Sequence, residues 1–209
     1  MRFGILGSGD VAKSLGSGLV QHGHSVVLGT REPDKLGSWS EDKHVSVGTL
    51  ADAAGFGDII ILATHGKGTR NAIMLAGTER FSGKIVIDAT NPLDFSKSMP
   101  PTLSVGTTDS LGEQAQRLLS DARVVKCYNT VGHAHMIDPK FAQRPDMFIC
   151  GNDEKAKKEV EKLLASVGWG CVDIGDITCS RYLEPLAMVW ISYGFHTNTW
   201  NHAIKLLRQ

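Results

Sequence analysis

The sequence predicts an α/β fold with a doubly wound, mainly parallel sheet and a C-terminal helical elaboration. Three observations carry this. Short apolar runs alternate with helical patterns through the first two thirds of the chain, a glycine turn separates the first run from the first helical pattern, and the longest runs, such as Ile59 to Ala63, are strand-sized. With 209 residues, 42% of them hydrophobic, the chain can build one substantial core, whereas two full domains would each be small. The expected organisation is a single domain over 1–209, with 151–209 an α/β extension packed on the core.

The expected strands are Arg2–Leu6, Ser25–Gly29, Val45–Val47, Asp58–Ala63, Lys84–Asp88, Arg123–Tyr128, Met147–Cys150 and, near the end, Gly170–Ile174. Between the first two, Val11, Ala12, Leu15 and Leu19 recur at helical spacing and turn an apolar stripe towards the sheet. The stretch from Asn91 to Ser110 is rich in Pro, Ser, Thr and Gly and reads as a long loop leading into a helix over Leu111–Leu119. Asn152 is placed to cap a helix whose apolar face is Ala156, Val160, Leu163, Leu164 and Val167, with Gly168 at its C-terminal cap. A long closing helix, marked by Leu183, Leu186, Ala187, Trp190 and Ile191, is expected to run towards Leu207, with Pro185 in its first turn.

The 22 Lys and Arg residues balance 22 Asp and Glu, so no basic field exists to gather nucleic acid or an anionic membrane, and a small molecule is the expected partner. No run is long enough to span a bilayer. The opening MRFGILGSGD enters a strand and a glycine turn at once, with no apolar segment of the kind an export signal carries, so a cytoplasmic protein is expected. Cys127, Cys150, Cys171 and Cys179 lack CxxC spacing and read as reduced thiols.

Gly7-Ser8-Gly9-Asp10-Val11-Ala12 follows the first strand and opens the first helix, which is the G-x-G-x-x-G/A fingerprint of a Rossmann-type dinucleotide site in its required context. Gly7 permits the tight turn, Gly9 lets the backbone approach a pyrophosphate, and Ala12 keeps the helix close to the sheet. The helix N-terminus offers unpaired N–H groups to the anion. About 20 residues on, where an NAD site carries a carboxylate for the ribose hydroxyls, this chain has Thr30 and Arg31, with Lys35 a turn later. A hydroxyl and a guanidinium suit a 2′-phosphate, so the expected cofactor is NADP(H). Ala63-Thr64-His65 and Asn91-Pro92 end the next core strands, where ligands collect in open sheets, and are expected to border the ribose and nicotinamide.

At these residues the chain resembles the NADP oxidoreductases that use the deazaflavin coenzyme F-420 and, more distantly, the oxidoreductase domain of six-transmembrane ferric reductases. The resemblance rests on the Gly7–Ala12 turn, on Gly29-Thr30-Arg31 with Lys35, on Lys126–Val131 (KCYNTV), on Ile149–Asp153 and on Ser180–Glu184. It implies hydride transfer between nicotinamide and a deazaflavin or similar small-molecule redox acceptor, with the rings stacked in a cleft beside the C-terminal helices. Positioning the rings is then the main task of the protein, because the chemistry belongs to the cofactors. The segment Thr130–His135 and the Asn91–Ser110 loop depart from the deazaflavin enzymes.

If the acceptor is instead a carbonyl or imine, a proton donor is required, and His133, His135 and Tyr128 are the candidates. A flavin or iron reductase is a further alternative, and an NADP(H)-sensing module is the non-enzyme one. His133 and His135 share a spacing that an extended segment could turn to one side, but no nearby carboxylate or cysteine completes a metal set, and none is expected. Gly66-Lys67-Gly68-Thr69 lacks the upstream glycine of a phosphate loop. Trp190, Ile191, Phe195 and Trp200 give the closing helix more apolar surface than one face needs, so a homodimer is expected.

Overall fold

A computed structural model describes residues 1–209. In chain order its elements are β1 (Arg2–Leu6), α1 (Asp10–Gln21), β2 (Ser25–Gly29), α2 (Gly37–Lys43), β3 (Ser46–Gly48), α3 (Leu50–Phe56), β4 (Ile59–Leu62), α4 (Gly66–Ala76), β5 (Ile85–Asp88), β6 (Leu93–Asp94), β7 (Thr102–Leu103), α5 (Leu111–Leu118), β8 (Arg123–Lys126), β9 (Asp146–Gly151), α6 (Glu154–Ser166), β10 (Gly170–Asp173) and α7 (Ser180–Thr197). Eight strands form one sheet in the order β10-β9-β8-β5-β4-β1-β2-β3. All neighbours are parallel except β8 and β9. The chain therefore has the doubly wound, Rossmann-type architecture with a C-terminal helix.

Helices cover both faces of the sheet, and the strands record this residue by residue. Ile59 and Ile61 of β4 join the core that α1 and α6 close, while Ile60 and Leu62 join the opposite core beneath α3, α4 and α5. A strand buried on both sides gains nothing from polar residues, hence the unbroken apolar run. On α1, Ala12, Leu15 and Leu19 are fully buried, as the stripe requires. Each buried leucine contributes roughly 1.5–3 kcal/mol of apolar transfer free energy. The α6 face of Ala156, Val160, Leu163 and Leu164 is buried as well, and Gly168 follows the helix with φ +90, a conformation few side chains tolerate.

Four expectations are corrected. Asp153, not Asn152, caps α6 by accepting from the Ala156 N–H at 2.7 Å; Asn152 instead accepts from Ile177 N at 3.0 Å. The loop from Asn91 contains the β6–β7 hairpin, which pairs Leu93 with Leu103 and is held by Ser104 donating from N and Oγ to the Pro92 carbonyl at 2.7 and 3.1 Å. Pro185 lies inside α7, beyond its first turn, where it leaves the Arg181 carbonyl without its helical donor. The buried row Leu183, Ala187, Trp190 and Gly194 holds the helix together past it.

The fourth concerns the end of α7, which stops at Thr197, with Asn198 in the left-handed region at φ 51. The rest folds back. Trp190 Nε1 donates to the His202 carbonyl at 2.8 Å, His202 Nε2 pairs with the Trp190 carbonyl at 2.9 Å, and Asp146 N donates to the Ile204 carbonyl at 2.9 Å. The tail thus satisfies its own backbone against α7 and β9 and has no need to continue the helix. No helix is long and apolar enough to cross a membrane.

Candidate functional site

After β1 the chain moves outward through β2 and β3 on one side, then returns to place β4 on the other side of β1. Loops leaving β1 and β4 diverge at this switch point and open a crevice at the carboxyl ends of the strands. A cleft of about 690 Å³ lies there. Its walls include Gly7, Ser8, Gly9, Asp10 and Val11 from the first turn, Thr30 and Arg31 from the end of β2, Ala63, Thr64 and His65 after β4, and Asn91 after β5. Residues far apart in sequence are collected here by the topology.

The first turn is shaped for an anion. Gly7 has φ +144, and a side chain at this position would run into the Ala63 carbonyl oxygen, so only glycine fits. At Gly9 the position of a Cβ meets nothing within 4 Å, which leaves open space for a ligand against the backbone. No side chain caps the N-terminus of α1, so its first N–H groups keep their donors for an anion. The N-terminus of α4 is also without a side-chain cap, and its Gly66 and Gly68 line the same cleft.

Arg31 lines the cleft with no carboxylate paired to it, whereas Lys35 is paired on the surface with Glu32 and does not line the cleft. The reason is local: Pro33 starts a 3-10 turn over Pro33–Leu36 that points Lys35 back at Glu32. Thr30 is 8% exposed, and its Oγ1 already accepts from Glu32 N at 3.3 Å, which leaves only its hydroxyl proton to offer. Pro92 is likewise absent from the cleft wall; it is buried below, its carbonyl holding Ser104. Asn91 is held by Asn129, donating from Nδ2 to the Asn129 carbonyl at 2.7 Å and accepting from Asn129 Nδ2 at 3.1 Å.

The two histidines separate. Residues 133–135 form a 3-10 turn, not an extended segment, so their side chains diverge. His133 lines the cleft, with Nδ1 3.1 Å from Ser14 Oγ. His135 pairs through Nε2 with Asn201 Oδ1 at 2.7 Å, packs on Phe141 and does not line the cleft. Tyr128 is in the core, 1% exposed, and its hydroxyl has no partner; burial pushes its pKa well up. A phenol removed from the cleft has no substrate to protonate.

Two features of the site have no motif in the sequence. The hairpin contributes Leu93 and Phe95 to the cleft wall, and Asp94 between them is clamped by Lys67 Nζ at 2.8 Å and by Ser96 N at 3.1 Å. Lys67 and the Ser96 donors hold the Asp94 carboxyl below the usual carboxylate range. Beneath the cleft, Lys126 Nζ donates to Asp88 Oδ2, Glu184 Oε1 and the Thr90 carbonyl at 2.9, 2.8 and 2.6 Å, all fully or nearly fully buried. Burial alone would lower the pKa of this lysine, but the Asp88 and Glu184 carboxylates outweigh it and raise it, so the ammonium stays charged. Glu184 also accepts from the Leu111 and Gly112 N–H groups at 3.1 Å, so one carboxylate ties the start of α5 to α7.

Arg181 and Glu113 form a second tie between these helices, at 2.8 and 2.5 Å. The hydrogen bonds from Arg181 are the main cause lowering the Glu113 pKa, against burial. Since the folded pKa lies below the unfolded one, the stabilisation is present above the ordinary glutamate range and is lost as pH falls through the folded value. Glu113→Gln is therefore expected to lower the midpoint of thermal unfolding at pH 7, and the gap to the parent should close as the scans are moved to lower pH. A gap that stays constant down to pH 3 would show that the charge of Glu113 contributes nothing.

Residues 2–92 match the family described as NADP oxidoreductase, coenzyme F420-dependent. A crystal structure from an Arthrobacter species, described as that of a candidate F420-dependent NADP-reductase, superposes with a TM-score of 0.95 at 40% identity over 100% of both chains. The F420-dependent NADP reductase of Methanocaldococcus jannaschii is 28% identical over 205 residues, covering 91% of each chain. The human metalloreductase STEAP2 is 31% identical over 186 residues, which are 88% of this chain but 35% of that protein, so the chain spans about a third of the metalloreductases it matches. A full-length match of sequence and fold, converging on the glycine turn and cleft described above, places the chain in the coenzyme F420-dependent NADP oxidoreductase family.

Proposed function

We propose that the chain transfers hydride between NADPH and a deazaflavin of the coenzyme F420 type, with both rings in the 690 Å³ cleft. The observation that carries this is the pairing of an uncapped first turn, fit for a pyrophosphate, with a far wall built of Leu93, Phe95 and His133. In this reading Gly7 to Val11 hold the pyrophosphate, Thr30 and Arg31 the 2′-phosphate, and Ala63 to His65 with Asn91 the ribose and nicotinamide. Lys35 and Pro92 drop out as direct contacts. The nicotinamide supplies the hydride, and the residues of this chain orient the rings and exclude water. Phe95 gives a flat apolar wall suited to stacking against a planar acceptor. The proposal extends to one dinucleotide-binding unit over 1–209, with 151–209 its extension, acting in the cytoplasm as a homodimer; of the surface expected to carry it, Trp190 is buried and Phe195 packs on Trp200 within the chain, which leaves the exposed Tyr182, Val189 and Tyr193 of α7.

The test mixes purified protein with NADPH and the oxidised deazaflavin, with a simple flavin in a parallel cuvette, and follows nicotinamide absorbance. Transfer to the deazaflavin alone is the expected outcome. The hydrogen bond between Ser14 and His133 favours one second reading, a carbonyl or imine acceptor for which His133 gives the proton and Ser14 orients its ring. NADPH that binds but reduces neither flavin nor deazaflavin would favour that reading.

A further inference from the structure

Gly66 lines two cavities at once. The second, of about 440 Å³, lies between α4 and α5 and is closed along one side by Ser104 and Val105. Its size is in the range of small-ligand sites, roughly 300–1,000 Å³. The floor is apolar: Ile73, Leu111 and Ala115 are all buried. The rim carries Lys67, Arg70 and Arg117, and no carboxylate lines the cavity.

Two of these cations are already matched, Lys67 with Asp94 at 2.8 Å and Arg117 with Asp109 at 2.8 Å. Arg70 is exposed, and its side chain has no carboxylate partner and no hydrogen bond within the chain. A guanidinium on the rim of an apolar floor complements an amphipathic anion, since its fork binds a carboxylate or phosphate bidentately while the floor takes up a hydrocarbon. We propose that the α4–α5 cavity is a binding site for an organic anion, a phosphate ester or carboxylate on a short apolar stem, with Arg70 as its anion anchor. Because Gly66 borders both cavities, the anion has two sources. It is either a free small molecule or the anionic side chain of the acceptor whose ring occupies the first cleft. The second source rests on the function proposed above; the site itself does not.

The experiment titrates n-hexyl phosphate into the NADPH-loaded protein by calorimetry, using the parent, Arg70→Gln and Lys162→Gln. Lys162 is an exposed cation on α6, paired with Glu159, and reports non-specific charge effects. Saturable binding that weakens about tenfold in Arg70→Gln and is unchanged in Lys162→Gln is the expected result. The source is read by turnover with a deazaflavin carrying an anionic side chain and with the same ring carrying a neutral one. If hexyl phosphate raises the KM of the anionic form alone, and Arg70→Gln does the same, the acceptor supplies the anion; if neither changes, a free small molecule does. Absence of saturable binding with turnover indifferent to Arg70, or equal binding by parent and Arg70→Gln, overturns the proposal. Should no deazaflavin be reduced, the functional reading fails and the calorimetry alone decides the site.

Discussion

Arg31→Ala is expected to weaken NADPH binding about 10- to 100-fold, the cost of removing hydrogen bonds to a charged group at about 1.5–3 kcal/mol. NADH, which has a hydroxyl where NADPH has the phosphate, should bind the variant and the parent alike. The size of the effect follows from the neighbours. Thr30 has one hydroxyl proton to offer, and Lys35 is turned to Glu32, so Arg31 is the one Lys or Arg in the cleft wall and has no carboxylate partner. Lys35→Ala should accordingly leave both affinities within about twofold, the weight of an exposed ion pair. Fluorescence titration with each nucleotide checks both variants. Equal losses for NADPH and NADH in Arg31→Ala would mean that the guanidinium shapes the cleft and does not read the phosphate.

Lys126→Ala is expected to destabilise the chain by about 3–5 kcal/mol, because it leaves Asp88 and Glu184 buried without a counter-charge. In a protein of this size that lowers the unfolding midpoint by roughly 6–20 °C. Part of the loss should return in the double variant Lys126→Ala, Asp88→Asn, which removes one of the two unpaired charges and leaves Glu184 both oxygens for the Leu111 and Gly112 N–H groups. Thermal and urea unfolding of the two proteins distinguish a charge effect from a cavity effect: a double variant no more stable than Lys126→Ala would assign the loss to packing. The functional consequence lies one bond away, since Lys126 also holds the Thr90 carbonyl and Glu184 leads through α7 to Leu183, whose carbonyl accepts from Asn129 at 2.8 Å. Asn129 in turn fixes Asn91 in the cleft wall.

The strands and the first turn were legible because local rules govern them. An apolar run buried on both faces, a glycine forced to φ +144 and a stripe of Ala12, Leu15 and Leu19 each leave a mark within a few residues. Arg31 was legible for a similar reason, since its distance from the fingerprint is set by one βαβ unit. The pairing of Lys35 with Glu32 outside the cleft wall was not legible, because it follows from a turn only four residues long, nor was the separation of His135 from His133, because a 3-10 turn has a different period from a strand. The short helices α2, α3 and α4 left weaker periodic signals, being only 7, 7 and 11 residues long.

What the sequence by itself determined is the run of core strands, the glycine turn that opens α1 and the place of Arg31 at the end of β2. These depend on contacts within one βαβ unit. Only the tertiary structure decided which groups meet across the sheet: Lys126 with Asp88 and Glu184, His133 with Ser14, Phe95 with the cleft, and Arg70 with the second cavity. Such pairings join residues 38, 58 and 119 positions apart. No spacing rule reaches that far, because the partner of a side chain at such range is chosen by the packing of whole elements and not by the run of residues around it.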